Sequence, residues 1–245
     1  MPSIFVKDGQ EVHRKITEKD YLEHLGSLVD DYLSSEDIVP IKMSKGANRY
    51  LEDVYDRIVA SNEIFLESKI RPKFYFIKDD APFYFSLPGG HYFFSSALIS
   101  KYLKNEQLFG AVLCREIVKS HKNYYMKNKV IPVGFIDTAK ILKLVRVPID
   151  VRHVINKWVF VALRRTGLDP YAYLLWLQTQ NKNSLEFTFQ LGSNYLISKE
   201  EFLFKNFISS SGMRGKLFVD ENAGVNKSFY TFYREVRNRH EAGRN

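Results

Sequence analysis

An aromatic strand that stops at a proline and two glycines and then resumes constrains this chain more than any other feature. Phe83-Tyr84-Phe85-Ser86-Leu87 reads as extended chain, Pro88-Gly89-Gly90 breaks it, and His91 to Phe94 continues it. Pro72 to Lys78 reads as a further strand, and aromatic residues of this density suit a pleated, half-buried surface. A short helix is expected from near Ser96, and Asn105 is placed to cap a long one from Glu106 to about Asn128.

Helical periodicity dominates on both sides of these strands. Tyr21, Leu25, Leu28, Val29 and Leu33 recur at helical spacing behind a Thr17 cap, and Leu51, Val54, Tyr55, Ile58 and Val59 do so behind Asn48. Val151 to Thr166 reads as a helix stopped by Gly167, and Asp169-Pro170 opens another that runs through Trp176. Ser198 and Glu201 form a capping-box pattern ahead of Phe202 and Leu203, and Ser228 to Asn245 reads as a basic, fraying helix. Val130 to Ile149, with Pro132, Gly134 and Pro148, is expected to be irregular. The resulting expectation is one α+β domain over residues 1–245, mostly helical with a small mixed sheet. N-terminal helices occupy 1–65, a core 66–180, and a C-terminal extension with a basic tail 181–245.

Charge narrows the partners. The chain carries a formal +8, and between Glu116 and Asp150 the only acid is Asp137, against Lys119, Lys122, Lys127, Lys129, Lys140, Lys143 and Arg146. Such a segment is either a solvated face or a field that attracts an anionic partner. Its alternation of apolar residues with Lys140, Lys143 and Arg146 is compatible with an anionic membrane surface, although its prolines oppose one continuous amphipathic helix. No recognised nucleic-acid motif is present, and no nucleic-acid partner is expected.

Cys114 is the only cysteine, which excludes an intrachain disulfide and a multi-cysteine zinc site. It sits in an apolar helical stretch and reads as a small core residue rather than a nucleophile. No apolar run of about 18 residues appears, so a membrane-spanning helix is not expected. The start, Met1-Pro2-Ser3-Ile4-Phe5-Val6-Lys7-Asp8, lacks the basic and apolar regions of a signal peptide, which points to the cytoplasm if the chain is complete without a leader.

The chemistry concentrates on Leu113-Cys114-Arg115-Glu116-Ile117-Val118-Lys119. A helix brings positions i and i+4 to one face, where in His-Glu-x-x-His two imidazoles grip zinc and the Glu activates water. Here that face offers Arg115 and Lys119. A guanidinium has no usable lone pair and an ammonium must first lose a proton, so neither ligates zinc as written. Elsewhere, Cys114 and His121 lie about 10 Å apart along a helix axis, too far to share one ion. His91 and His153 have no partner at ligand spacing.

Three segments resemble the gluzincin-type zinc metallopeptidase family of the CAAX prenyl proteases, HtpX and BepA-like peptidases. Phe83 to Gly90 is similar to the family's Asn-Ala-Phe-Ala-x-Pro-Gly-Gly. Asn105 to Leu113 is similar to the run that leads into His-Glu-x-x-His, and Gly167-Leu168-Asp169-Pro170 to the Gly-Tyr-Asp-Pro after the third-ligand helix. Together they span about residues 49–180.

The resemblance implies a zincin-like metallopeptidase fold in which Arg115, Lys119 and Arg152 take the ligand positions. Glu116 would keep the general-base position, while Asn156 would replace a supporting Asp and Phe83 the strand Asn. It therefore implies a catalytically inactive homologue without zinc or other cofactor. In that reading Glu116 pairs with Lys119 or Arg152, and the basic cluster either braces the fold or binds an anion. Phe83, Phe85 and Tyr92 are candidates to line a groove that holds a peptide by backbone pairing, or else they are core. The expected role is a peptide- or protein-binding scaffold or regulator, in a bacterial cell envelope by resemblance. The alternatives are a peptidase with a rebuilt site around Glu116 and a basic binder of membrane surface or nucleic acid.

Overall fold

The computed structural model describes residues 5–7, 10–12, 17–66, 70–126, 131, 134, 136–211 and 226–242. A four-stranded mixed sheet lies between two helical layers. Its order is β3 (Pro40–Ile41), β4 (Lys73–Ile77), β6 (His91–Ser95), β5 (Tyr84–Leu87), and only the β4–β6 pair is parallel. A separate hairpin joins β1 (Phe5–Lys7) to β2 (Gln10–Val12).

Alternation along the strands divides the interior in two. Tyr84, Phe76, Tyr92 and Phe94 face one core, with the helices α2 (Lys45–Ala60), α3 (Glu106–His121), α5 (Ile149–Thr166), α6 (Tyr171–Lys182), α8 (Asn194–Ser210) and α9 (Lys227–Glu241). Phe83, Phe85, Leu87, Ile77 and Phe93 face the other, with α1 (Glu18–Leu33) and α4 (Thr138–Val145). Because successive residues of a strand point to opposite faces, Tyr84 and Ser86 are aimed at α3 while Phe83 and Phe85 are aimed away from it.

Local signals explain most boundaries. Thr17 and Asn105 cap α1 and α3 through their side-chain oxygens, as expected. Gly167 ends α5 with a φ of 75°, a conformation that a residue with a Cβ adopts only at a cost. In the turn between β5 and β6, a Cβ on Gly90 would come within 2.4 Å of Ile70 Cγ2, with φ at 81°, so the Gly is obligatory there.

The structure corrects several expectations. Ser44, not Asn48, caps α2, since its Oγ accepts the Ala47 N–H at 3.2 Å. Helix α3 stops at His121 rather than near Asn128, where Asn123 takes a left-handed φ of 51°. The stretch expected to be irregular contains α4, capped by Asp137, and buries Ile141, Leu142, Leu144 and Val145. An additional helix, α7 (Ser184–Leu191), precedes α8, which begins at Asn194, so Ser198 is a mid-helix residue bonded to Asn181 and caps nothing.

The tail is docked rather than frayed through residue 242. Phe229, Phe232, Val236 and His240 of α9 are buried, and the Phe232 ring lies 5.2 Å from Phe76. His240 is tied to Ser96 by a 2.9 Å bond between its Nδ1 and the hydroxyl. Tertiary packing here overrides the polar, basic composition of the segment. Residues 243–245 lie outside the described residues.

Candidate functional site

Helix α3 is buried along nearly its whole length, so its charged residues are interior groups. Arg115 is 4%, Glu116 0% and Lys119 2% exposed, and Arg152 on α5 is 1% exposed. Ionised groups withdrawn from water this far require partners, and the structure supplies them in two layers.

The first layer closes around Glu116. Arg115 pairs with its Oε1, and Lys119 Nζ lies 3.4 Å from its Oε2. Ser86 donates its hydroxyl to the same Oε2 at 2.8 Å, and the Tyr125 hydroxyl lies 3.3 Å from Ser86 Oγ, in position to donate to it. Burial pushes the Glu116 carboxyl up, but Lys119, then Arg115 and the Ser86 hydrogen bond outweigh it and hold the group below the usual carboxylate range. The rings of Tyr84 and Tyr125 complete the enclosure, with Arg115 Cζ 5.3 Å from the first centroid and Lys119 Nζ 5.1 Å from the second.

The second layer is built on Glu200. Arg152 Nη1 donates to Glu200 Oε2 at 2.8 Å, while its Nη2 donates to the Leu191 carbonyl and its Nε to the Val147 carbonyl. Asn156 Nδ2 donates to Glu200 Oε1 at 3.0 Å, and the Tyr173 hydroxyl fixes that amide by donating to its Oδ1 at 2.6 Å. Of the two partners expected for Glu116, Lys119 is present and Arg152 is absent, because Arg152 is engaged by an acid from α8.

The three bases Arg115, Lys119 and Arg152 nonetheless meet. Together with Arg146, Tyr84, Gln190 and apolar residues of α4 they line one cavity of about 20 Å³ at the β5 edge. As a donor set for a transition metal this fails on chemistry, since guanidinium and ammonium groups offer no lone pair. The nearest carboxylates already accept from Arg115, Lys119, Ser86, Arg152 and Asn156. Among the described residues no group of three or more His, Cys, Asp or Glu is placed to hold a metal.

The outer strand edge is blocked at Tyr84. Tyr84 on β5 gives its N–H to Gln190 Oε1 at 3.3 Å, and Gln190 Nε2 donates back to the Tyr84 carbonyl. The side chain of α7 thus occupies the backbone groups that an added strand would use. Phe83, Phe85 and Tyr92 are 1%, 1% and 0% exposed, so they line no open groove. Tyr32 packs edge-on against Phe85 and Phe93, and Tyr92 stacks on Phe74 at 5.6 Å.

The remaining candidates are structural. Cys114 is fully buried and its thiol is pushed up by burial, which leaves little thiolate. His121 Nε2 is 2.8 Å from the Tyr55 hydroxyl, and His91 Nδ1 is 3.1 Å from that of Tyr75. His153 lies partly exposed on α5, its imidazole pKa lowered by burial and by Lys157.

Ser86, Tyr84, Gln190 and Glu200 escaped sequence reasoning. Glu200 had a signal, since it stands between Ile197 and Phe204 in the apolar stripe of its helix, where a carboxylate needs a buried partner. Ser86 had a weaker one, a lone hydroxyl on an aromatic strand, on the same face as Tyr84.

A second, larger feature lies outside the ion-pair layers. A cleft of about 580 Å³ runs between α4 and the α7–α8 turn, lined by Asp137, Lys140, Lys143, Arg146, Phe189 and Ser193 among others. Arg146 lines both this cleft and the inner cavity. It is held by donating its Nε to the Gln190 carbonyl at 3.1 Å and its Nη2 to that of Phe189. The apolar side of α4 is turned inward, so this segment presents lysines to solvent and not a hydrophobic face.

No helix of the described residues is long and apolar enough to cross a membrane. Comparison with known proteins found no protein-family model and no curated protein that matches the chain.

Proposed function

We propose that this protein is a metal-free, non-hydrolytic relative of the zincin-like metallopeptidases that works as a protein-binding scaffold or regulator. The observation that carries the reading is the occupation of Glu116, whose two carboxylate oxygens are bonded to Arg115 on one side and to Lys119 and Ser86 on the other. A general base must be able to take a proton from a bound water; a carboxylate held ionised between two cations is a poor one, and no Lewis acid can be held at these positions to compensate. Arg115 and Lys119 on α3, Arg152 on α5, and an antiparallel edge strand beside α3 are the arrangement that the resemblance leads one to expect of a zincin whose ligands have been replaced.

Its partner-binding surface is the basic cleft beside α4. Lys140 and Lys143 are exposed there, Phe189 of α7 is 70% and Leu185, one turn earlier, 81% exposed, and among the described residues Asp137 is the one acid lining it. Cations beside uncovered apolar side chains fit an acidic segment with bulky apolar residues. The Lys140–Asp137 pair at 3.5 Å is a surface pair that such a segment displaces at a cost of about 0–1 kcal/mol.

Metal analysis of the purified chain is expected to give far less than one zinc per molecule, and casein is expected to stay intact. Casein cleavage abolished by chelator and by Glu116→Gln overturns the reading in favour of a rebuilt peptidase. For the surface, fluorescence anisotropy with a glutamate-rich peptide containing phenylalanines is expected to show salt-sensitive binding that Lys140→Glu with Lys143→Glu weakens at least tenfold. Binding to anionic vesicles with no affinity for the peptide moves the role to a membrane surface.

A further inference from the structure

We propose that the inner cavity at the β5 edge is a binding site for one small monovalent anion, with chloride the natural occupant. Its lining brings Arg115, Lys119, Arg146 and Arg152 to one space and, among the described residues, includes no acid. Glu116 bonds to Arg115 and Lys119, and Glu200 to Arg152, from outside the lining, while Arg146 donates to backbone carbonyls. Tyr84 and Gln190 add polar edges, and Phe85, Leu142, Val145, Val147 and Leu191 close the rest with apolar surface that lowers the local dielectric.

Cations facing a shared, water-poor space repel one another far more strongly than on the surface. A water molecule there brings oxygen lone pairs but no charge, whereas an anion brings both. The donors suit one: Nη1 and Nη2 of Arg152 each carry a second hydrogen besides those given to Glu200 and Leu191. At about 20 Å³ the cavity accommodates one particle of roughly the size of a water. A halide is of that order, while phosphate, sulfate or a peptide carboxylate is larger. The site is distinct from the outer basic cleft in size and burial. The inference rests on the cavity alone and holds whether or not the chain descends from a peptidase.

The test follows thermal unfolding of the full chain while sodium gluconate is exchanged for sodium chloride or bromide, at constant ionic strength and millimolar halide. A ligand that binds only the folded state raises the midpoint by a few degrees per tenfold increase once the site fills, and the expected dependence is flattened in Lys119→Met. Because that variant also loses a Glu116 contact, crystals of the wild-type protein soaked in bromide supply an independent reading, with an anomalous peak expected between Arg115, Lys119 and Arg152. Unfolding that is indifferent to the exchange, a halide effect that survives Lys119→Met, or bromide found only on exposed surface, meaning an adventitious ion only, each overturns the proposal.

Discussion

The carboxamide of Gln190 meets both backbone polar groups of Tyr84, accepting the N–H at 3.3 Å and donating to the carbonyl. One side chain from α7 therefore takes the position of a neighbouring strand along this part of the sheet edge. Exposed edges invite pairing with another chain, and Gln190 blocks that pairing where the edge borders the ion-pair layers.

Replacing it exposes the consequence. Gln190→Ala leaves a buried N–H and carbonyl without these partners and is expected to cost about 1–3 kcal/mol in denaturant unfolding. The Tyr84 amide is expected to exchange faster with deuterium than in the wild type. Unchanged exchange would mean that the edge is protected by something other than this amide.

Glu200 and Arg152 form a buried pair, 3% and 2% exposed at their side chains. Glu200→Gln strands the guanidinium and is expected to destabilise by about 3–5 kcal/mol. Arg152→Met with Glu200→Leu removes both charges and is expected to recover most of that loss, as measured by the non-additivity of the unfolding free energies in a double-mutant cycle.

Acid sensitivity follows from Glu116. Its folded pKa is lowered below the free value of 4.5, so the unfolded chain binds a proton more readily than the folded one. The stability it contributes is fully present above the unfolded pKa and is lost as pH falls from about 4.5 through the lowered folded value. Glu116→Gln is expected to be less stable at neutral pH and to show a shallower acid limb in unfolding free energy plotted against pH. Parallel limbs for the two proteins would remove Glu116 from the acid response.

The docked tail makes a separate prediction. Phe232 is fully buried among Tyr50, Phe76 and Phe109, so Phe232→Ala is expected to cost about 3–5 kcal/mol. A helix that merely frayed at the end of the chain would show almost no change in melting temperature.

The sequence by itself determined those features whose cause is local. Periodicity and caps at Thr17 and Asn105 placed α1 and α3, the Pro88-Gly89-Gly90 break placed the turn between two strands, and Gly167 ended α5. The spacing of Arg115, Glu116 and Lys119 put them together on one helix, since turns of a helix repeat whatever surrounds them. Only the tertiary structure decided which groups they would meet. Ser86 lies 30 residues from Glu116 and Glu200 48 residues from Arg152, and sequence periodicity carries no register between such distant elements. The same limit hid Gln190 at the sheet edge and turned a polar, basic tail into core, because burial depends on the surface that an element finds and not on its own composition alone.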